Sequence, residues 1–118
     1  RNFLYDQEAF GGVPRDIFIQ AVRAEGAPIG AGAHGRPIYQ NPVFLEMNFG
    51  ETGCPIKCPL YGEPVDFTKV YCPQAEHAST NIALSIPHAN FLGGTEDIEL
   101  ILEAIRKVRA NIGELKSA

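Results

Sequence analysis

Between Thr95 and Ile112 the apolar residues Ile98, Ile101, Leu102, Ile105, Val108 and Ile112 recur mainly at steps of three and four. That spacing gathers them on one face of a helix and leaves Glu99, Glu103, Arg106, Lys107 and Arg109 on the other, with Glu103 and Lys107 an i,i+4 pair. Thr95, which follows Gly93 and Gly94, is the expected N-cap, its hydroxyl accepting from first-turn amides. Glu96, Asp97 and Glu99 lie near the positive end of the helix dipole and Arg106, Lys107 and Arg109 toward the negative end, so charge order agrees with the periodicity. A second helix is predicted from about Pro14 to Glu25. Its apolar face is Ile17, Phe18, Ala21 and Val22, and Arg15, Asp16, Gln20 and Arg23 form its wet face. Proline suits the first turn of that helix and Gly26 its exit.

Strands are expected at Phe3–Tyr5, at Ala27–Gly30 and at Asn81–Pro87, where Ile82, Leu84 and Ile86 alternate with Ala83 and Ser85. Val65–Tyr71 reads as a further extended piece and Pro73–Thr80 as a short helix with proline in its first turn. From about 30 to 64 glycine, proline and cysteine dominate and the pattern is that of a long loop. Tyr39, Phe44, Phe49 and Tyr61 within it imply that it packs on something. The order of elements predicts one α+β domain over residues 1–118, a small antiparallel or mixed β-sheet with helices packed on it as a two-layer sandwich.

A chain of 118 residues buries about two thirds of its unfolded surface, enough for a core without staples. The net charge of −4, with both signs scattered, lacks the footprint of a nucleic-acid or acidic-membrane binder. No apolar run approaches the ~18 residues of a membrane span, and no secretory leader pattern is present, so a cytoplasmic location is expected. The chain opens at Arg1, directly before the apolar Phe3-Leu4-Tyr5, which is the pattern of a piece of a longer protein.

The segment Gly30–Phe44 is richest in chemistry. Its glycines allow the backbone close to a ligand, and His34, Arg36 and Tyr39 supply an imidazole, a fixed cation and a hydroxyl within a few residues. The bland alternative is a surface loop with scattered polar groups, because no paired nucleophile and base accompanies them. The three cysteines are an odd number, which argues against a complete disulfide framework. Cys54, Cys58, Cys72 and His77 could converge on zinc, with His34 and His88 as further donors, which would make the chain a non-catalytic metal-binding or interaction module. Free or buried thiols are the plainer reading, and a Cys54–Cys58 disulfide is a third. His88 is read as a loop residue and His77 as a solvated one. None of the four lysines stands in a setting that favours a Schiff base: Lys107 and Lys116 belong to the exposed side of the last helix or beyond it, Lys57 lies between two prolines and Lys69 precedes an extended piece.

Ile86-Pro-His88, Phe91-Leu-Gly-Gly-Thr-Glu-Asp-Ile98, Ala104-Ile-Arg-Lys-Val-Arg-Ala-Asn111 and Glu114-Leu115 together resemble the carboxyl end of the DegT/DnrJ/EryC1/StrS family of sugar aminotransferases. The resemblance runs from the first helix to the last. It implies the C-terminal small domain of a fold-type-I enzyme that uses pyridoxal 5'-phosphate and transfers an amino group from an amino acid to a keto-sugar, such as a nucleotide-sugar, or to a keto-cyclitol. It further implies that the cofactor lysine, its acidic partner and most phosphate contacts belong to a large N-terminal domain missing here, and that the parent is a homodimer. By that resemblance the loop with His34, Arg36 and Tyr39 borders the active-site cleft, near the substrate or the phosphate end of the cofactor. This chain alone is then expected to bind no cofactor and to be inactive. The loop from Gly50 to Gly62 departs from the family pattern, and some family members act as dehydratases or regulators.

Overall fold

In a computed structural model the described residues are 1–47, 50, 60, 62–63 and 65–116; the side chain of Ala33 is outside the description. Strand β1 is Asn2–Leu4, helix α1 Arg15–Ala24 and strand β2 Gly30–Ala31; after short helices α2 (Pro42–Leu45) and α3 (Pro73–His77), strand β3 is Ala83–Ser85 and helix α4 Thr95–Ala110. The sheet is antiparallel throughout, in the order β1-β3-β2, with Phe3 opposite Leu84 on one side and Ala31 opposite Leu84 on the other. The predicted α+β class holds, and the choice between antiparallel and mixed resolves to antiparallel.

Burial explains why the elements meet. Phe18, Ile19 and Val22 of α1, Ile101, Ala104 and Val108 of α4, and Leu84 and Ile86 at β3 form one cluster with Tyr5, Ala27 and Ile29. Tyr5 and Phe18 stack within it and Phe10 packs against both rings, with centroids 4.8 to 5.2 Å apart. The Tyr5 hydroxyl donates to the Val13 carbonyl at 2.8 Å, so its buried polar tip has a partner. Burial pushes the Tyr5 phenol up to about 12.

Several local expectations are corrected. The cap of α4 is Gly94, and the residue that closes the first turn is Asp97, whose carboxylate accepts from the Gly94 amide at 3.1 Å; Thr95 is already helical. The Asp97 side chain folds back over Gly93, where a Cβ would collide with it. The buried positions of α4 are Ile101, Ala104 and Val108, while Leu102 is exposed at the edge and Ile112 lies past the helix end. Lys107 pairs not with Glu103 but across to Glu25, at 2.5 Å. Arg15, expected on the wet face of α1, is 6% exposed, and Ile19 is buried beside Phe18 and Val22. The strand expected at Ala27–Gly30 begins at Gly30, because Ala27 and Ile29 instead turn into the core. Val65–Tyr71 holds a 3-10 turn at Phe67–Lys69, capped by Asp66 accepting from the Thr68 amide at 3.0 Å. Helix α3 continues into a π-helical turn over Ala78–Ile82, which takes the place of the first two residues of the expected strand.

No core residue comes from the stretch between Ile29 and Ala83 among the described residues. The described residues of that stretch include exposed apolar groups, Leu60 93% and Ile38 74% exposed.

Candidate functional site

The His34 turn is built by β3. Gly32 donates its amide to the Ala83 carbonyl at 2.9 Å and lies so close that a Cβ there would meet Ala83 Cβ at 2.9 Å and the Leu84 carbonyl oxygen at 3.0 Å. The chain then turns through Ala33–Gly35, with His34 at φ 57° and Gly35 at φ 72°, and the Gly35 amide returns to the Gly32 carbonyl at 3.0 Å. A left-handed backbone at a residue with a side chain is uncommon, and such conformations persist where surrounding contacts enforce them. Here the close approach of Gly32 to β3 supplies the enforcement. His34 and Arg36 are exposed, and the following Pro37 is buried.

Tyr39 ties down the far end of the segment. Its hydroxyl donates to Glu76 Oε1 at 2.5 Å and accepts from the Cys72 amide at 3.1 Å. Desolvation, reinforced by the hydrogen bond to the Glu76 carboxylate, raises the Tyr39 phenol above its ordinary range. The structure thus fastens residues 32–39 at both ends and leaves an imidazole and a guanidinium exposed between the fastenings. His34 and Arg36 share the turn, whereas the Tyr39 hydroxyl is committed to α3. An exposed imidazole and guanidinium can bind an anionic or hydroxyl-rich ligand from one side; they do not by themselves make a nucleophile and base.

Two features of this site had no local signal. Glu76, the acceptor for Tyr39, reads in sequence only as a solvated helical acid. Arg15 donates through Nη1 to the Ser79 carbonyl at 2.8 Å and the Ala83 carbonyl at 3.2 Å, contacts 64 and 68 residues away in the chain. Its Nε and Nη2 meet Asp16 Oδ1 at 3.0 and 2.9 Å.

The residues fit poorly with a resident pyridoxal phosphate. A Schiff-base lysine needs a desolvated setting with an acidic partner for the pyridine nitrogen. Lys69 and Lys107 are exposed and paired with Asp66 and Glu25, Lys116 is exposed, and Lys57 lies outside the described residues. A concavity of about 670 Å³ between Gly26–Pro28 and the first half of α4 is lined by Glu25, Asp97 and Glu103 against the single cation Lys107, a poor balance for a phosphate. Cys54 and Cys58 also lie outside the described residues; Cys72 is an exposed free thiol, and no group of three or more His, Cys, Asp and Glu among the described residues is placed to hold a metal. His77 Nδ1 lies 3.0 Å from the Asn81 amide nitrogen and His88 is exposed in a turn. No described helix is long and apolar enough to cross a membrane.

Comparison with known proteins adds what the geometry leaves open. Proteins named as L-glutamine:3-amino-2,3-dideoxy-scyllo-inosose aminotransferase in Micromonospora echinospora and Streptomyces kanamyceticus are each 29% identical to this chain over 116 residues, 98% of its length. A protein of the same name in Streptoalloteichus tenebrarius is 26% identical over 114 residues. The chain is similar to aminotransferases from end to end. It spans about a quarter of the length of these curated relatives, 27% in each case. No family model matches the chain, and no solved structure matches it. The resemblance to aminotransferases read from the residues is therefore carried by these relatives, as is a span consistent with a C-terminal portion of a longer enzyme.

Proposed function

We propose that this chain is the C-terminal small domain of a cytoplasmic, fold-type-I aminotransferase of the DegT/DnrJ/EryC1/StrS type, which moves an amino group from an amino acid to a keto-cyclitol or keto-sugar. The observation that carries the reading is the end-to-end similarity over 98% of this chain to relatives of which it spans 27%. Their name specifies L-glutamine and an amino-inosose, which makes glutamine the preferred donor and a keto-cyclitol the preferred acceptor for the parent of this chain as well.

The domain is not catalytic alone. In this reading pyridoxal phosphate belongs to the rest of the parent, and this chain walls the cleft. His34 and Arg36 meet the hydroxyl-rich substrate or the phosphate end of the cofactor, while Tyr39, held by Glu76, keeps that rim in place and helps exclude water. Exposed apolar groups support a large neighbouring body. A groove of about 380 Å³ is lined by Phe3, Leu4, Phe91, Ile98, Leu102 and Ile105, with Leu4 77% exposed. Ile38, Leu60 and Tyr71 are further exposed apolar side chains. Exposed apolar patches of this kind mark interaction surfaces, and the missing large domain and the second subunit of a homodimer are the occupants in this reading.

The test is kinetic. The complete reading frame containing these residues, loaded with pyridoxal phosphate, is expected to transfer nitrogen from L-glutamine to a keto-cyclitol. His34→Ala and Arg36→Ala should each raise KM for the acceptor about tenfold or more, the scale of one lost charge-assisted hydrogen bond. Absence of transfer would overturn the activity; transfer with unchanged acceptor kinetics in both variants would overturn the assigned rim.

A further inference from the structure

Arg15 is a cation placed almost wholly out of water, and its only ionic partner among the described residues, Asp16, is itself 69% exposed. Burying a guanidinium is costly unless its donors are satisfied. Nε and Nη2 meet Asp16, and Nη1 donates to two main-chain carbonyls, one at Ser79 inside the π-helical turn and one at Ala83, the first residue of β3. The Ala83 carbonyl is the same oxygen that accepts the Gly32 amide at 2.9 Å. One oxygen thus joins the Arg15 guanidinium to the start of the His34 turn. π-Helical turns insert an extra residue into a helix and are frequent beside functional sites. Here the turn runs directly into Ala83, and Arg15 bridges the Ser79 carbonyl within it to the Ala83 carbonyl just past it.

We propose that Arg15 is a positioning residue for the His34 turn: it fixes the Ala83 carbonyl by bridging it to Ser79, and so fixes Gly32 and the left-handed turn that carries His34. A guanidinium suits this task because its planar fork addresses Asp16 and the two carbonyls at once, which an ammonium on a lysine stem does not reproduce. The importance of the turn rests on reading it as a cleft rim; the positioning of Gly32 by Arg15 stands apart from that reading and is measured without any reaction.

The experiment is amide hydrogen exchange, read by NMR on the 118-residue chain, in Arg15→Met, Arg15→Lys and the core control Val22→Ala. Exchange at Gly32 and Gly35 is expressed relative to the slowest amides of α4, so that a general loss of stability cancels. Arg15→Met is expected to accelerate Gly32 and Gly35 about tenfold beyond α4, the scale of losing a hydrogen bond to a charged group. Arg15→Lys keeps a cation and the stem, serves where the methionine variant does not fold, and should give a smaller acceleration confined to the same two amides. Val22→Ala should leave the ratio unchanged. The proposal is overturned if Gly32 and Gly35 only follow α4 in the arginine variants, or if Val22→Ala moves the ratio as much as they do. In the parent enzyme, an acceptor KM unchanged in Arg15→Lys despite accelerated Gly32 exchange would refute the rim and leave the positioning intact.

Discussion

Gly32→Ala isolates the contact on which the His34 turn depends. At φ −77° and ψ 176° the backbone of Gly32 is one that alanine adopts readily, so no conformational penalty arises. The cost is steric. The new methyl would sit 2.9 Å from Ala83 Cβ, 3.0 Å from the Leu84 carbonyl oxygen and 3.2 Å from the Ala83 carbonyl carbon, against a comfortable carbon–carbon separation of about 3.5–4.0 Å. Since β3 is the central strand, the turn rather than the strand must give way. A retreat of about 0.5–1 Å stretches the 2.9 Å bond from the Gly32 amide to the Ala83 carbonyl beyond hydrogen-bonding range. Overpacking of this kind costs about 1–3 kcal/mol, and the stiffer unfolded chain of an alanine variant returns about 0.4–1 kcal/mol. A net loss of about 1–2 kcal/mol is expected, read as a lower urea midpoint at unchanged m-value. Gly35→Ala is the control: nothing lies within 4 Å of its Cβ, and only its φ of +72° is penalised, by about 1–2 kcal/mol. Gly32→Ala should shift the amide resonances of Ala83 and Leu84, and Gly35→Ala should not. A Gly32→Ala variant as stable as the parent chain, with β3 resonances unmoved, would refute the close packing of the turn.

Three further outcomes follow from the core and the tether. The folded-state pKa of Tyr5, raised from 10.0 to about 12, favours the neutral phenol, so its contribution is complete below pH 10 and lost as pH climbs toward 12; Tyr5→Phe should flatten the fall in stability over that window, amounting to about 3 kcal/mol, while costing about 1 kcal/mol at neutral pH through the orphaned Val13 carbonyl. Phe18→Ala removes a ring that is 2% exposed, stacked on Tyr5 and edge-on to Phe10, and should cost about 3–5 kcal/mol, seen as a chain largely unfolded by near-UV circular dichroism at 37 °C. Tyr39→Phe should leave the urea midpoint nearly unchanged yet speed exchange of the Cys72 amide, because that amide loses the phenolic oxygen it donates to.

What could be read from sequence was what is encoded locally. Helix α4 announces itself because Ile98, Ile101, Ile105 and Val108 keep the helical period over several turns, and the central strand because Ile82, Leu84 and Ile86 alternate. The cap lies one residue earlier than the pattern suggests: a threonine after two glycines looks like a cap, whereas the observed bond is the Asp97 carboxylate reaching back to accept from the Gly94 amide. Helical periodicity places Arg15 in water because it cannot see the Ser79 and Ala83 carbonyls that accept from its guanidinium. The π-helical turn has no pattern of its own; it delays β3 and hides part of the alternation. For the site, His34 and Arg36 were legible as chemistry on a glycine-rich segment. The Tyr39–Glu76 tether and the Gly32–Ala83 approach are tertiary facts, and they decide which of the three candidate side chains is free to meet a ligand.

The most direct measurement of the central claim is the coding sequence around the codon for Arg1. The account predicts an uninterrupted reading frame that supplies about three quarters of a chain of the relatives' length, including a strand-borne aspartate and a lysine among small residues, and whose purified product binds pyridoxal phosphate. A frame that starts at Arg1 and encodes only these 118 residues would contradict it, and the similarity to aminotransferases would then describe ancestry without the chemistry.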